Sequence, residues 1–393
     1  MSADAVVIAA ARRTPIGAFQ GALSGASATA LGGAAIAAAV ADAGVDGNGV
    51  GQALMGCVLS AGLGQAPARQ AVLAAGLPVS LPCVTVNKMC GSGLYAVMLG
   101  HDLIRAGSAD VVIAGGLESM SNAPYLLPKA RAGYRMGHQE VLDHMFFDGL
   151  QDPYEGRMMG HFAENTARRY GFTRDRQDEF AIGSVERAQA AVADGRFAAE
   201  VTPVTVAARK GDVVVVSDET PGTVDVNKIP GLKPAFAADG TVTAASSSSI
   251  SDGAAALVLM SAAEAARRGV RPLARIVGHA GAAQEPAWFT TAPVAAIARL
   301  HDQLGWNPDT VDLYEINEAF AVVAMAAIHD LELDRDKVNV NGGACALGHP
   351  IGATGARITT TLVHALRARG LARGIAALCL GGGEAVAIAV EID

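Results

Sequence analysis

Val84-Thr-Val-Asn-Lys-Met-Cys-Gly-Ser-Gly-Leu-Tyr-Ala-Val97 runs a β-branched stretch into Asn87, then a single Cys90, then Gly91-Ser92-Gly93 and an Ala/Leu/Val pattern at helical spacing. The order is strand, tight turn, helix, with a thiol at the helix's first turn. Unpaired backbone N–H groups and the positive end of the helix dipole both favour a thiolate there. The flanking glycines leave room for a substrate to come close to the sulfur. Two plainer readings stand beside this one. Free cysteine is among the most buried residue types, so core packing at a strand–helix junction also accounts for Cys90. Gly91-x-Gly93-x-x-Ala96 also fits the loose dinucleotide fingerprint after a strand, a pattern that is weak on its own.

Around this stretch lie 393 residues, enough for two or three domains and a large core. The chain is 51% hydrophobic but only 5% aromatic, so its apolar content is mostly Ala, Val and Leu, which suits helices packed closely on sheets. A net charge of −8 without a basic cluster points away from nucleic acid and anionic membrane surfaces. Any anionic ligand then depends on local Lys, Arg or helix N-termini. The five cysteines (Cys57, Cys83, Cys90, Cys345, Cys379) are an odd number in a large chain. The apolar run Ala5–Ala11 precedes Arg12-Arg13, the reverse of a secretory signal. Free thiols in a reducing, cytoplasmic setting are the expectation. The uncharged stretch from Thr14 to Ala41 is too rich in Gly, Ser and Thr for a membrane span.

Strands without polar alternation, separated by helices, predict a sheet covered on both faces. Ala5–Ala11, Gln52–Leu59, the strand before Cys90 and Asp110–Gly116 form the first set, with helices at Ser27–Ala43 and from Gly93 to about Ala106. Leu117–Ser249 is then richer than the rest of the chain in aromatics, Met and charges, with helices at Met159–Tyr170 and Arg174–Ala193. It reads as an inserted, irregular subdomain ending in the loop Ala244-Ala-Ser-Ser-Ser-Ser-Ile-Ser251. Ala254–Met260 returns as a buried strand that completes the first sheet. From Pro272 the first pattern resumes, with strands at Ala274–Gly281, Val311–Ile316, Val338–Asn341, Ile375–Leu380 and Ala385–Glu391. Helices at Val294–Gly305, Ala319–Leu331 and Ala353–Ala368 separate them. The expected fold class is therefore α/β: two similar halves sharing a core, residues 1–116 completed by 250–271, and residues 272–393. Residues 117–249 are the insertion, and ligands lie between the halves beyond the strand ends.

Asn341-Gly-Gly-Ala-Cys-Ala-Leu-Gly-His349-Pro350-Ile-Gly-Ala-Thr-Gly355 occupies, in the second half, the position that Cys90 holds in the first. Pro350 keeps His349 out of helical angles and stiffens the loop. A surface loop histidine is the plain alternative; the correspondence with Cys90 favours a catalytic base. Cys345-x-x-x-His349 also has zinc-like spacing, but no compact second Cys/His pair accompanies it. Cys379 ends a buried strand before Gly381-Gly-Gly383. It is either core packing or a thiolate that abstracts protons, with Gly381 offering an exposed backbone N–H. Asn317 is either an N-cap or a polar group directed into a cleft.

Two cysteines, a histidine and glycine-flanked N–H groups at one end of paired sheets suit carbon–carbon chemistry on a thioester. Several motifs together resemble the thiolase family, the acetyl-CoA acetyltransferases and 3-ketoacyl-CoA thiolases. They are Arg13-Thr-Pro-Ile-Gly17, Asn87-Lys-Met-Cys-Gly-Ser-Gly93, Gly115-Gly-Leu-Glu-Ser-Met-Ser121, Met159-Gly-His-Phe-Ala-Glu-Asn165, Asn317-Glu-Ala-Phe320, Gly348-His-Pro-Ile-Gly352 and Cys379-Leu-Gly-Gly-Gly383. The resemblance spans nearly the whole chain.

It implies two αβαβα halves with a loop domain, a tetramer built from dimers, and ping-pong chemistry on coenzyme A thioesters, which are substrates rather than cofactors. By the same resemblance Cys90 carries the acyl group, His349 takes its proton and Cys379 is the acid/base for the second substrate. Backbone N–H groups of Cys90 and Gly381 form one oxyanion hole; Asn317, through a water, joins His349 in another. Ser248 meets the pantetheine of coenzyme A. Met158 and His161, within Met158-Met-Gly-His-Phe-Ala-Glu-Asn165, depart from the short-chain pattern where acyl and pantetheine groups lie, as does Trp288-Phe-Thr-Thr-Ala-Pro293. An acetoacetyl-CoA type is the expectation. The rivals are a longer-chain 3-ketoacyl-CoA thiolase, a non-catalytic acyl-CoA binding protein and an NAD-dependent dehydrogenase.

Overall fold

Alternate residues of single strands feed different cores, and this sets the layers. In strand β4 (Val111–Ser119) Val112 and Ala114 face one buried cluster, while Val111, Ile113 and Leu117 face another. Strand β8 (Arg373–Leu380) does the same: Ala376 and Leu378 on one side, Ile375, Ala377 and Cys379 on the other. Side chains alternate across a strand, so strands apolar at every position need cover on both faces. The cluster common to both strands is central. It also takes Leu94 and Val97 from helix α3 (Ser92–Arg105) and Ile358 and Leu362 from helix α9 (Thr354–Arg369). The outer clusters are closed by α1 (Ala28–Ala43), α2 (Pro67–Ala74) and, through Ala265, α6 (Ala262–Arg268) on the first half, and by α7 (Ala292–Leu304) and α8 (Ala321–Asp330) on the second. The layers run helix, sheet, paired central helices, sheet, helix.

The computed structural model describes residues 5–209 and 211–392. Residues 1–4 of the expected first half, Lys210 and Asp393 lie outside the described residues. The other long strands are β1 (Val6–Arg13), β2 (Gln52–Gly56), β3 (Cys83–Val86), β5 (Ser251–Ser261), β6 (Ala274–Ala283), β7 (Leu313–Ile316) and β9 (Glu384–Glu391). All belong to one ten-stranded sheet in the order β7-β8-β9-β6-β1-β5-β4-β2-β3, with the short strand Gly17–Ala18 added on β5. The halves join where β1 pairs antiparallel with β6, Val6 opposite Ile276 and Ile8 opposite Ala274. On either side the pairing repeats: β2 with β4 and β7 with β8 are parallel, β4 with β5 and β8 with β9 antiparallel.

Three expected elements differ. The strand expected over Gln52–Leu59 stops at Gly56, and the Val58 and Leu59 N–H groups turn to the Glu118 carboxylate instead. The strand ending at Gly116 runs on to Ser119, because Leu117, Glu118 and Ser119 keep pairing with Asp252–Ala254. No strand forms at 338–341; Val338 makes only an isolated bridge to Tyr314. Asn339 turns into the left-handed region at φ +50°, and its side chain replaces the ladder. Its Oδ1 accepts the Ile316 N–H at 2.8 Å and its Nδ2 donates to the Ile316 carbonyl at 2.8 Å.

The inserted segment holds α4 (Met159–Tyr170) and α5 (Arg174–Ala193), with short hairpins 125–126/142–143 and 204–206/213–215. It is tied to β1 by the fully buried Arg13. That guanidinium donates to Glu200 at 2.6 Å and to both carboxylate oxygens of Asp218 at 2.6 and 2.8 Å. Between α5 and β5 the chain passes through 244–251, which brings Ser248 to the junction of the halves.

Candidate active site

Cys90 follows a turn in which Met89 adopts φ +49°, unusual for a residue with a Cβ. Three short contacts hold it. Asn87 Oδ1 accepts the Met89 N–H at 3.0 Å, Ser92 Oγ accepts the Lys88 N–H at 2.8 Å, and Ser92 Oγ donates to the Met89 carbonyl at 2.6 Å. Strain of this kind persists where surrounding contacts over-determine it, and such positions cluster at functional sites. The residue is half-buried, with its thiol the enclosed part. The expectation of a resting thiolate is not met. Burial pushes the thiol up to about 11, outweighing the N–H groups of Gly381 and of Cys90 itself that pull it down, and the nearby Glu118 adds to the rise.

His349 is brought to Cys90 by the crossing of α3 and α9 at their N-terminal ends. A Cβ on Gly355 would fall 2.4 Å from the Leu94 N, and one on Gly93 would fall 2.9 Å from the Ala356 N, so both glycines are required for the close approach. His349 is buried, and its Nδ1 lies 2.6 Å from Thr354 Oγ1. The Thr354 hydroxyl spends its one proton on the Pro350 carbonyl at 2.9 Å. With the hydroxyl proton so placed, Nδ1 is the donor to Thr354 Oγ1 and Nε2 is left unprotonated; Nε2 is buried with no partner. Burial, with the charge of Arg357, holds the imidazole down at about 3, so it is neutral at physiological pH. Glu118 braces the same loop. Its carboxylate accepts N–H groups from Val58 at 3.0 Å, Leu59 at 3.1 Å and Gly352 at 2.8 Å, while burial pushes it up to about 7.

Cys379 is fully buried at the end of β8, and burial followed by the proximity of Cys90 raises its pKa well above the usual thiol range. Gly381 follows in the turn, with its N–H towards the Cys90 sulfur. Asn317 is not an N-cap, since α8 begins only at Ala321 after Phe320. Its amide is buried with both Nδ2 and Oδ1 unpartnered. Such orphaned groups cost about 1–3 kcal/mol each, which marks a position reserved for a water or ligand.

Cys90, His349, Cys379, Gly381, Ser248 and Met158 all line one cleft, a cavity of about 210 Å³. Ser248 is fixed by its own N–H to the Ala319 carbonyl at 3.0 Å. His161 does not line it. Its Nδ1 sits 3.2 Å from the Met158 carbonyl, and its ring packs edge-on against Phe236 at 6.1 Å. Phe236 was not read from the sequence as a cleft residue, whereas Phe289 lies in the Trp288–Pro293 stretch expected beside the acyl and pantetheine groups and Phe320 closes the Asn317–Phe320 motif. Their rings pack edge to face, 5.8 Å between Phe236 and Phe320 and 6.4 Å between Phe289 and Phe320, and form one wall. Thr354 was missed as well; a hydroxyl five residues after the histidine, at a helix start, was its only signal.

Two alternatives fall on geometry. A pyrophosphate has no access to Gly91 and Gly93, because a Cβ on Gly91 would lie 2.3 Å from the Leu380 side chain and Gly93 packs on the 352–356 backbone. Among the described residues no group of three or more metal-ligating side chains includes Cys345 or His349. Cys345 Sγ instead faces the Glu318 carbonyl at 3.8 Å.

Comparison with known proteins places the chain in a family. The family described as thiolase, N-terminal domain, matches residues 6–263, and that described as thiolase, C-terminal domain, matches residues 270–392. The acetyl-CoA acetyltransferase of Pseudomonas aeruginosa is 49% identical, over 99% of this chain and 99% of its own. That of Cupriavidus necator is 50% identical, over 98% and 99%. A crystal structure of a thiolase from Ascaris suum in complex with coenzyme A superposes with a TM-score of 0.94 at 43% identity, covering 98% of this chain and 99% of that one. The Bacillus anthracis acetyl-CoA acetyltransferase reaches a TM-score of 0.96 at 43% identity, covering 98% of each. With both halves matched and the cleft lying between them, this chain belongs to the thiolase family.

Proposed function

We propose that this protein is an acyl-CoA C-acyltransferase of the acetyl-CoA C-acetyltransferase type, in which two acetyl-CoA give acetoacetyl-CoA and free coenzyme A. The observation that carries the reading is the convergence of Cys90, His349, Cys379 and the Gly381 N–H on one apolar cleft between the halves. The relatives named as acetyl-CoA acetyltransferases and the relative crystallised with coenzyme A support the same substrates. The wall of Phe236, Phe289 and Phe320 favours a short acyl group over the longer chains of the rival reading.

Each step then has a group of this chain assigned to it. Cys90 Sγ attacks the thioester carbonyl of the first acetyl-CoA, and its proton passes to His349 Nε2, the nitrogen that Thr354 leaves free. The carbonyl oxygen becomes an oxyanion that the Cys90 and Gly381 N–H groups stabilise. The carbon–sulfur bond to coenzyme A breaks, and Cys379, a neutral thiol at rest, gives its proton to the departing thiolate. Cys379 is now the base that removes a methyl proton from the second acetyl-CoA. The enolate oxygen is held by the proton on His349 and by a water on Asn317. Its carbon attacks acetyl-Cys90, whose sulfur leaves and recovers its proton from His349.

Two thiols, an imidazole and amide groups complete this cycle, so coenzyme A thioesters serve as substrates and no separate cofactor takes part. The chemistry needs reduced thiols, and all five cysteines are unpaired, which fits a cytoplasmic location. We also assign a homotetramer assembled from dimers.

Acetyl-CoA and peptide mass analysis test the roles together. Wild type should carry acetyl on Cys90, and Cys90→Ser should carry none. Cys379→Ser should still be acetylated, yet its exchange of acetyl methyl protons with deuterated solvent should fall by about 10²–10⁴-fold. A folded Cys379→Ser that exchanges near the wild-type rate would remove Cys379 as the base, and label found only on Cys345 or Cys379 would remove Cys90 as the nucleophile.

A further inference from the structure

Away from the cleft, the two halves bring three ligand-type side chains to one point. His101 and Asp102 lie near the C-terminal end of α3, and His279 projects from β6. Asp102 Oδ1 is 3.0 Å from His101 Nδ1 and 2.8 Å from His279 Nε2. The two imidazoles meet edge to face with centroids 5.0 Å apart, and the three ligand atoms all lie within 4.8 Å of one another. Neighbouring residues on a helix diverge by about 100°, so convergence of positions 101 and 102 on one point is not automatic. The His101 and His279 side chains are only 16% and 19% exposed, whereas Asp102 is 56% exposed and open to solvent. None of the three lines the cleft.

We propose that His101, Asp102 and His279 form a binding site for a divalent transition-metal cation of the nickel, cobalt or copper(II) kind, with water in the remaining positions. Imidazole nitrogen and carboxylate oxygen together suit these ions better than calcium or magnesium, which take all-oxygen shells. Spacing separates them further from tetrahedral zinc. With metal–ligand bonds of about 2.0–2.1 Å, ligands at a right angle stand about 2.9 Å apart, and at a tetrahedral angle about 3.4 Å. The 3.0 and 2.8 Å from Asp102 Oδ1 to the two ring nitrogens lie nearer the right-angle spacing than the tetrahedral one.

Without metal, each ring donates a hydrogen to the shared carboxylate oxygen; on binding a cation each ring's hydrogen moves through solvent to its other nitrogen, so that the nitrogen facing Asp102 offers its lone pair to the ion and both rings stay neutral. A bound ion would link α3, whose other end follows directly on the Cys90 turn, to β6 of the second half, and so stabilise their contact.

Titration of the full-length, EDTA-treated protein with nickel chloride at neutral pH, followed by calorimetry, tests this. One site per chain is expected, with a rise in Tm on addition of nickel. An outer-shell partner is worth about 10–100-fold in metal affinity, so loss of a direct ligand should weaken binding at least that far. His279→Phe and, independently, His101→Leu, each checked for fold by circular dichroism, should show that weakening and lose the Tm rise, while Cys90→Ser binds as wild type does. Cobalt(II) should give absorption without the near-ultraviolet band of a thiolate ligand. Unchanged nickel affinity in either folded variant, no saturable binding by wild type, or a thiolate band that vanishes in Cys90→Ser would overturn the site.

Discussion

Cys90 sits at a helix start, where N–H groups and the dipole lower a thiol's pKa, yet its pKa is raised. Both contributions are present; burial is the larger one. A neutral thiol beside a neutral imidazole is therefore the resting state, and the proton leaves as the sulfur attacks. Below its pKa the thiolate fraction of such a group rises about tenfold per pH unit. Alkylation of Cys90 by iodoacetamide, followed by peptide mass analysis, should accelerate to that extent from neutrality towards pH ~10. A plateau reached by about pH 8 would mean that a thiolate is already formed at rest. Thr354 acts one step behind. Because it dictates which nitrogen of His349 carries the hydrogen, Thr354→Val should lower kcat by about 10–100-fold with a smaller change in KM. Thr354→Ser, which keeps the hydroxyl, should restore most of the rate. Equal rates for the Val and Ser variants would show that the hydroxyl does not position the histidine.

At the scale of elements, the site depends on how closely α3 and α9 cross. Gly355→Ala places a methyl 2.4 Å from the Leu94 backbone N, a contact that only movement of the helices can relieve. Overpacking of this sort costs about 1–3 kcal/mol, and the same movement separates Cys90 from His349. Gly183, within α5, meets nothing within 4 Å and has no positive φ, so Gly183→Ala should add up to about 1 kcal/mol through helix propensity. Urea denaturation of the two variants should therefore move in opposite directions, with acyl transfer lost only in Gly355→Ala. A Gly355→Ala protein of unchanged stability and activity would deny the crossing its role. The second half reaches its matching geometry with one strand fewer, because the Asn339 side chain stands in for the missing ladder.

The molecule as a whole leaves two surfaces that bear on assembly. The sheet ends on β3, an edge strand whose Val84 is 41% exposed, and unpaired strand edges invite pairing with another chain. The hairpin segment around 125–147 exposes Leu127, Met136, Val141 and Phe147, a concentration of apolar side chains that isolated monomers rarely present. Two distinct surfaces on one chain are what a dimer of dimers needs, one for each type of contact. Light scattering at micromolar concentration should give four chains per particle, and Met136→Glu combined with Val141→Lys should reduce it to two. A monomeric wild-type protein would refute the assembly.

Much of this is legible in the sequence itself. The buried strands, the helices from Met159 to Tyr170 and from Arg174 to Ala193, and the repeated pattern in the two halves follow from local periodicity, which short-range sequence encodes directly. Cys90, His349, Cys379 and Gly381 were legible because each sits at a strand end or helix start marked by glycine. Other features depend on residues far apart in the chain. Thr354 matters only because Pro350 takes its proton, and Phe236 and Phe289 reach the cleft only after the insertion folds back on the second half. His279 meets Asp102 across 177 positions. The direction of the Cys90 pKa belongs to the same class. A helix start can be read from adjacent residues, but desolvation is set by what the whole fold lays over the sulfur, and only the tertiary structure decides which of the two prevails.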